Sequence, residues 1–320
     1  MNKVIVVESL SKNYMIKREK KKALRDCSFV VEKGTSVGFV GLNGAGKSTL
    51  IKLLVGIMQP SSGNILVLGE NPFANRKRLM KNVGVLFGQR SNLVYDLPVK
   101  DSFSLLKTIY SLSEDEYVKQ MNFLKQYIDI EELMNIPVRQ MSLGQRMRCE
   151  VASVLLHNPQ LVFFDEAFLG IDFKSKIMIR KLIEAMRRKN GTTFVITSHD
   201  IRDIERMCDD VIILNEGTII AHDNIFNIES RSKWVHLEIS FYDEINFEDM
   251  TTIGETIDVE EINKERNSII VKVERGLYSS IIESFYKKYD IKSYEVSDYR
   301  LEDIIACIYE ETKDCNVEIC

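Results

Sequence analysis

Residues 41–49 read Gly-Leu-Asn-Gly-Ala-Gly-Lys-Ser-Thr, and no other stretch of this 320-residue chain restricts its fold as strongly. The apolar run Ser36-Val37-Gly38-Phe39-Val40 leads into it and reads as a buried strand. Residues 49–55 follow with helical spacing and meet Gly56, a fitting C-terminal stop. A strand, a glycine-rich turn and a helix in this order aim several backbone N–H groups and a helix N-terminus at one anion. Gly41, Leu42, Asn43, Gly44, Ala45 and Gly46, continuing into Lys47, Ser48 and Thr49, therefore form a candidate cradle for nucleotide phosphates. Lys47 supplies a point charge for the β- and γ-phosphates, and the Ser48 hydroxyl a ligand for Mg²⁺.

The rest of the chain fits an α/β protein built around that loop. Strand patterns at 3–8, 23–31 and 36–40 precede the loop or run into it, and a short one at 64–68 follows the turn Pro60-Ser61-Ser62-Gly63. From Pro98 to about Ile136 the apolar positions (Phe103, Leu106, Ile109, Tyr110, then Tyr117, Met121, Leu124, Ile128) repeat at helical spacing, which predicts a helical insert. Strand character returns at 161–164, 193–197 and 211–214, with helices expected over 174–189 and 201–208. Such alternation predicts a parallel sheet covered on both faces. After Ala221 the pattern changes: Val235, Leu237, Ile239 and Phe241 alternate with polar residues, as do Ile269, Val271 and Val273, and Trp234 reads as core. We place one domain over residues 1–230, with a helical subdomain over about 90–155, and a small α/β domain over 231–320. The second is acidic, with 21 Asp and Glu against 11 Lys and Arg. That balance speaks against a nucleic-acid partner. The basic run Lys17-Arg18-Glu19-Lys20-Lys21-Lys22 reads as a solvated loop between the first two strands.

Six cysteines occur with no C-x-x-C pair and no zinc spacing, which suits free thiols in a reducing compartment. Nowhere do 18 apolar residues run together, so no membrane-spanning segment is expected, and Val4–Val7 is too short for a signal-peptide core.

Two further stretches carry chemistry. Leu161-Val162-Phe163-Phe164-Asp165-Glu166 is an apolar strand that ends in two carboxylates. Downstream of a phosphate loop, Asp165 is placed to hold Mg²⁺ and Glu166 to orient the water that attacks the γ-phosphate. In Met141-Ser142-Leu143-Gly144-Gln145-Arg146, Ser142 followed by Gln145 is a capping box that opens a helix. Taken alone it is a helix cap; its exposed N-terminus is also a second anion cradle on the same chain.

Placed just before the Asp165-Glu166 strand, Ser142–Arg146 closely resembles the signature loop of the ABC (ATP-binding cassette) ATPases. The family's other marks appear in order: Gln89 matches the glutamine that senses metal and water, Leu169-Gly170-Ile171-Asp172 the loop that crosses the dimer interface, and His199 the histidine on the γ-phosphate. Tyr14 lies where the family has an aromatic stacked on adenine; singly, Tyr14 and His199 are open to a structural reading. The resemblance covers residues 1 to about 225. Residues 87–99 and 143–150 narrow it to bacterial exporters of the daunorubicin and viologen type, whose permeases are separate chains. Most of the family has Gly at 143 and Pro-Thr at 167–168, where this chain has Leu143 and Ala167-Phe168.

The resemblance implies an ATPase that powers transport from the cytoplasmic face of the cell membrane. ATP and Mg²⁺ would be held head-to-tail between two subunits: Lys47, Ser48, Gln89, Asp165, Glu166 and His199 from one, Ser142, Gly144 and Gln145 from the other, with Asp172 at the interface. The second subunit would be another copy or a paralogue, and integral membrane permeases would be the further partners. Two rivals stay open at this point. A soluble ABC ATPase of translation or repair usually carries two cassettes, a coiled coil or a zinc insert. A phosphate-loop kinase or GTPase gives Ser142–Gln145 no role.

Overall fold

The computed structural model of the chain describes residues 2–16, 19–88, 90–198, 200–230, 232–243 and 258–311. It divides into two compact units, Met1–Asn224 and Ile225–Cys320.

In the first unit a long hairpin, β1 (Lys3–Ile16) and β2 (Glu19–Glu32), is followed by β3 (Ser36–Val40) and α1 (Lys47–Leu54). Then come β4 (Ser62–Val67), α2 (Arg76–Leu79) and β5 (Val83–Phe87). The helical insert comprises α3 (Val99–Ile109), α4 (Glu114–Lys125) and α5 (Leu143–Leu155). The chain continues through β6 (Leu161–Asp165), α6 (Phe173–Asn190), β7 (Thr193–Thr197), α7 (Ile201–Met207), β8 (Asp210–Asn215) and β9 (Thr218–Asn224).

These strands make two sheets. The larger has the order β5-β6-β7-β3-β8-β9, parallel except for β9, and the smaller is antiparallel with the order β2-β1-β4. Every residue of β3, β6 and β7 is buried, which explains why their sequences are continuous rather than alternating apolar runs. The main core joins Val37 and Phe39 of β3, Leu50 and Leu53 of α1, Leu161 and Phe163 of β6 and Val195 of β7 to the inner face of the hairpin. The carboxyl ends of β3, β6 and β7 lie side by side, so the loops that leave them share one edge of the sheet.

The hairpin corrects two sequence expectations. Its strands are longer than the alternation suggested, because left-handed residues Ser9 (φ 47°) and Asp26 (φ 49°) interrupt the pattern and shift the register. Residues 19–22, read as part of a solvated loop, belong to β2, and Lys21 pairs with Tyr14 across the hairpin.

The second unit contains α8 (Ile225–Ser230), β10 (Trp234–Phe241), β11 (Asp258–Asn263), β12 (Ser268–Glu274), α9 (Tyr278–Tyr286), β13 (Ile291–Asp298) and α10 (Leu301–Glu311). Its antiparallel sheet has the order β11-β12-β10-β13, and Ile282 and Phe285 of α9 pack on Val235, Leu237, Ile239 and Val271. Trp234 is half-buried rather than core, with the Lys272 ammonium 4.9 Å from its ring centre.

Candidate functional site

The phosphate loop is shaped by close approaches that exclude side chains. Gly46, the residue before α1, has φ 111°, and a Cβ there would lie 2.9 Å from the carbonyl oxygen of Ala23. Ala45 is buried, and its carbonyl accepts the Gly217 N–H at 3.0 Å, so the loop is pinned to the β8–β9 turn. Lys47 is 5% exposed and folds back over the loop, donating to the carbonyls of Gly41 at 2.5 Å and Leu42 at 3.2 Å. Burial lowers its pKa, while the carboxylates of Glu166 and Asp165 act in the opposite direction. The first N–H groups of α1 have no side-chain cap, so this helix end is free to receive an acceptor from outside.

A cleft of about 310 Å³ opens over the loop, lined by Asn43, Gly44, Gly46, Lys47, Ser48 and Thr49 together with Tyr14, Lys21, Lys22 and Glu166. The Tyr14 hydroxyl lies 3.3 Å from Thr49 Oγ1, so this ring sits on the wall next to the start of α1. The adjoining cavity, about 240 Å³, is lined by Ser48, Lys52, Arg90, Asp165 and Glu166. A larger cavity of about 440 Å³ between α6 and α7, lined by Arg180, Arg187 and Arg206, holds none of the sequence-predicted residues.

Asp165 is the last residue of β6 and is 8% exposed. Its Oδ1 accepts from Thr197 Oγ1 at 2.9 Å and from Ser48 Oγ at 3.4 Å. Burial raises its pKa and the neighbouring Glu166 adds to the rise, whereas the Thr197 and Ser48 hydroxyls oppose it. A buried carboxylate beside a hydroxyl is the hard-oxygen pair that suits Mg²⁺, an ion that takes its remaining ligands from water and substrate phosphates. Glu166 follows with φ 54°, a left-handed conformation that costs a residue with a side chain about 1–3 kcal/mol. Its N–H donates to Thr197 Oγ1 at 2.9 Å, and a Cβ on Gly88 would come within 2.3 Å of its carbonyl oxygen. Gln89 and His199 lie outside the described residues.

The N-terminus of α5, the second candidate cradle, is built differently. Ser142 Oγ accepts the Gln145 N–H at 3.3 Å, and Gln145 Oε1 accepts the Ser142 N–H at 3.0 Å, a closed capping box at the start of α5. Ser142, Gly144 and Gln145 line neither cavity at the phosphate loop. Gly144 lies instead against Asp172, so close that a Cβ would fall 1.9 Å from Asp172 Oδ2. Asp172 caps α6, accepting from Ser175 N at 2.9 Å and Ser175 Oγ at 2.8 Å, and these donors hold its pKa low.

Two contacts went unread in the sequence. Thr197 bridges Asp165 and Glu166. Glu150 of α5, 2% exposed, accepts from Ser91 Oγ and from the Asn92 N–H at 2.9 Å. Burial raises the Glu150 pKa against those bonds and the Arg146 charge. A Glu amid apolar helix positions was the available signal for the second contact. Nothing local announces the first, because the partners are 31 and 32 residues away.

Comparison with known proteins identifies the family. A family model described as ABC transporter matches residues 24–169. The ABC transporter ATP-binding protein NatA of Bacillus subtilis (strain 168) is 30% identical over 217 residues, covering 68% of this chain and 88% of the relative. The energy-coupling factor transporter ATP-binding protein EcfA2 of Clostridium perfringens (strain SM101 / Type A) is 32% identical over 224 residues, covering 69% and 78%. The structure of cbiO1 from Clostridium perfringens, part of the ABC transporter complex cbiONQ, superposes with a TM-score of 0.63 at 28% identity, over 72% of this chain and 92% of that one. The phosphate loop, the Asp165-Glu166 strand and the Ser142 cap thus stand in a sequence and a fold shared with these proteins: the chain belongs to the ABC transporter family of ATP-binding subunits and is an ATPase.

Proposed function

We propose that this subunit works as half of a head-to-tail nucleotide sandwich and drives separate membrane permeases, exporting its cargo. The observation that carries the reading is the division of the site: Lys47, Ser48, Asp165 and Glu166 share two adjoining cavities, while Ser142, Gly144 and Gln145 line neither. An anion cradle that its own phosphate loop does not use suits a second subunit's ATP. The surface around it fits a protein partner, since Leu143, Leu169 and Phe173 are 49%, 71% and 68% exposed beside Gly144 and Asp172. The relatives support an assembly with membrane components, as cbiO1 is part of the cbiONQ complex. No helix among the described residues is long and apolar enough to cross a membrane. The outward direction follows from the resemblance of residues 87–99 and 143–150 alone, and the cytoplasmic face of the membrane follows from the same source.

In the proposed reaction Lys47 and the N–H groups at the start of α1 hold the β- and γ-phosphates. Ser48 and Asp165 would hold Mg²⁺, which neutralises charge on the phosphate oxygens. Glu166 orients a water and takes its proton as the water oxygen bonds to the γ-phosphorus and the bond to the β-bridging oxygen breaks, releasing ADP and phosphate. Gln89, as metal sensor, and His199, at the γ-phosphate, complete the proposed set, with Tyr14 against the base and Asp172 at the dimer interface.

Glu166→Gln is expected to lower turnover by about 10²–10⁴ while ATP still binds, the loss typical of a general base; wild-type turnover in this variant rejects the role. Adding Ser142→Arg tests the second subunit's part. Size-exclusion chromatography with Mg·ATP should show a dimer for Glu166→Gln and a monomer for the double variant, whose cation meets the helix end where a γ-phosphate should approach. A dimer that still forms refutes the sandwich.

A further inference from the structure

β7 lies between β3, which delivers the phosphate loop, and β6, which ends in Asp165 and Glu166. Its last residue, Thr197, is fully buried, and its hydroxyl is shared between those two residues. The Glu166 N–H can only donate, so Thr197 Oγ1 accepts it at 2.9 Å and gives its own proton to Asp165 Oδ1, also at 2.9 Å. The Thr197 carbonyl takes the same Glu166 N–H at 3.2 Å. One hydroxyl thus fixes both the carboxylate proposed to hold Mg²⁺ and the peptide plane that leads into the proposed general base.

The other side of Glu166 is anchored by apolar packing. Its left-handed turn, φ 54°, sends Ala167 and Phe168 back into the protein, where they are 1% and 2% exposed. The Phe168 ring meets Phe164 edge-on at 5.2 Å between centroids, and Phe164 in turn contacts Phe194 of β7. Both anchors therefore return to β6 and β7, one through a hydroxyl and one through a ring.

We propose that Thr197 and Phe168 are positioning residues for ATP hydrolysis, holding Glu166 in its left-handed conformation with the Asp165 carboxylate in register beside it. The inference depends on the reading of Glu166 as general base. Thr197→Val keeps the volume and burial of the side chain and removes only the shared hydroxyl. Small displacements of a positioned catalytic group cost large factors in rate.

The test is steady-state hydrolysis by the full chain at saturating Mg²⁺ across a range of ATP, alongside thermal unfolding. Thr197→Val is expected to lower kcat by about tenfold to a hundredfold, with KM for ATP within about twofold, and Thr197→Ser should recover most of the loss. Phe168→Ala should lower kcat likewise, and Phe168→Leu should recover it. Wild-type kcat in Thr197→Val, a loss confined to KM, or a serine variant as impaired as the valine one overturns the proposal. Should Thr197→Val not fold, Thr197→Ala carries the same comparison with Thr197→Ser. Glu166→Gln in the same assay separates the two failures. If it is inactive while Thr197→Val is active, positioning alone is wrong; if it turns over normally, the role of Glu166 falls first.

Discussion

The N-termini of α1 and α5 are both candidate anion cradles, yet they handle their unpaired N–H groups in opposite ways. α1 begins after Gly46, in a left-handed conformation with no side-chain cap, and its first residue is the buried Lys47. α5 begins after Ser142 in an extended conformation, with a reciprocal capping box that satisfies donors at once. The first end carries a fixed positive field with no acceptor of its own, and so depends on a ligand. The second is complete in isolation, so a phosphate approaching from a partner must compete with the Ser142 and Gln145 side chains. A constitutive phosphate site and one reached only on assembly would differ in this way.

The contrast can be tested from its strongest element down. Glu150 fastens α5 to the Ser91–Asn92 turn, two residues past Gln89, through bonds to Ser91 Oγ and the Asn92 N–H. Glu150→Ala removes the buried carboxylate that both donors share, while Ser91 and Asn92 themselves are exposed, and is expected to cost about 1.5–3 kcal/mol in urea unfolding of the full chain, the range for hydrogen bonds to a charged group. An unchanged midpoint would mean that α5 is held by its apolar face alone. Lys47→Ala removes the cation from the α1 cradle without touching α5. ATP affinity should fall by about 10–100-fold, the range for losing a hydrogen bond to a charged group. Normal nucleotide affinity would count against the phosphate-loop reading. Smallest is Ser142→Ala, which opens the capping box and should cost about 0.5–2 kcal/mol, with ATP binding by the monomer unchanged. A monomer that binds ATP more weakly in this variant would place Ser142 in its own site and erase the difference between the two cradles.

The legible parts of the molecule were those whose chemistry is local in the chain. Lys47 and Ser48 stand in one turn between a strand and a helix, and Asp165 and Glu166 are adjacent residues at one strand end. The Ser142–Gln145 box is likewise complete within four residues. Register was less legible. The left-handed residues Ser9 and Asp26 break the alternation of the hairpin, so its reach to Tyr14, Lys21 and Lys22 beside the cleft was hidden. In the second unit β13 was missed because seven of its eight residues are exposed, leaving no apolar face to read.

The sequence by itself determined the family, the phosphate loop and the two adjacent carboxylates at the end of one strand, because backbone geometry and residue type within a few positions suffice for these. Only the tertiary structure decided how Asp165 and Glu166 are held. Strand order puts β7 between the phosphate-loop strand and the carboxylate strand, and this brings the Thr197 hydroxyl to both residues across a separation of 31 and 32 positions. A threonine ending a buried strand has no sequence signal for such a bond, since its partners are chosen by the sheet.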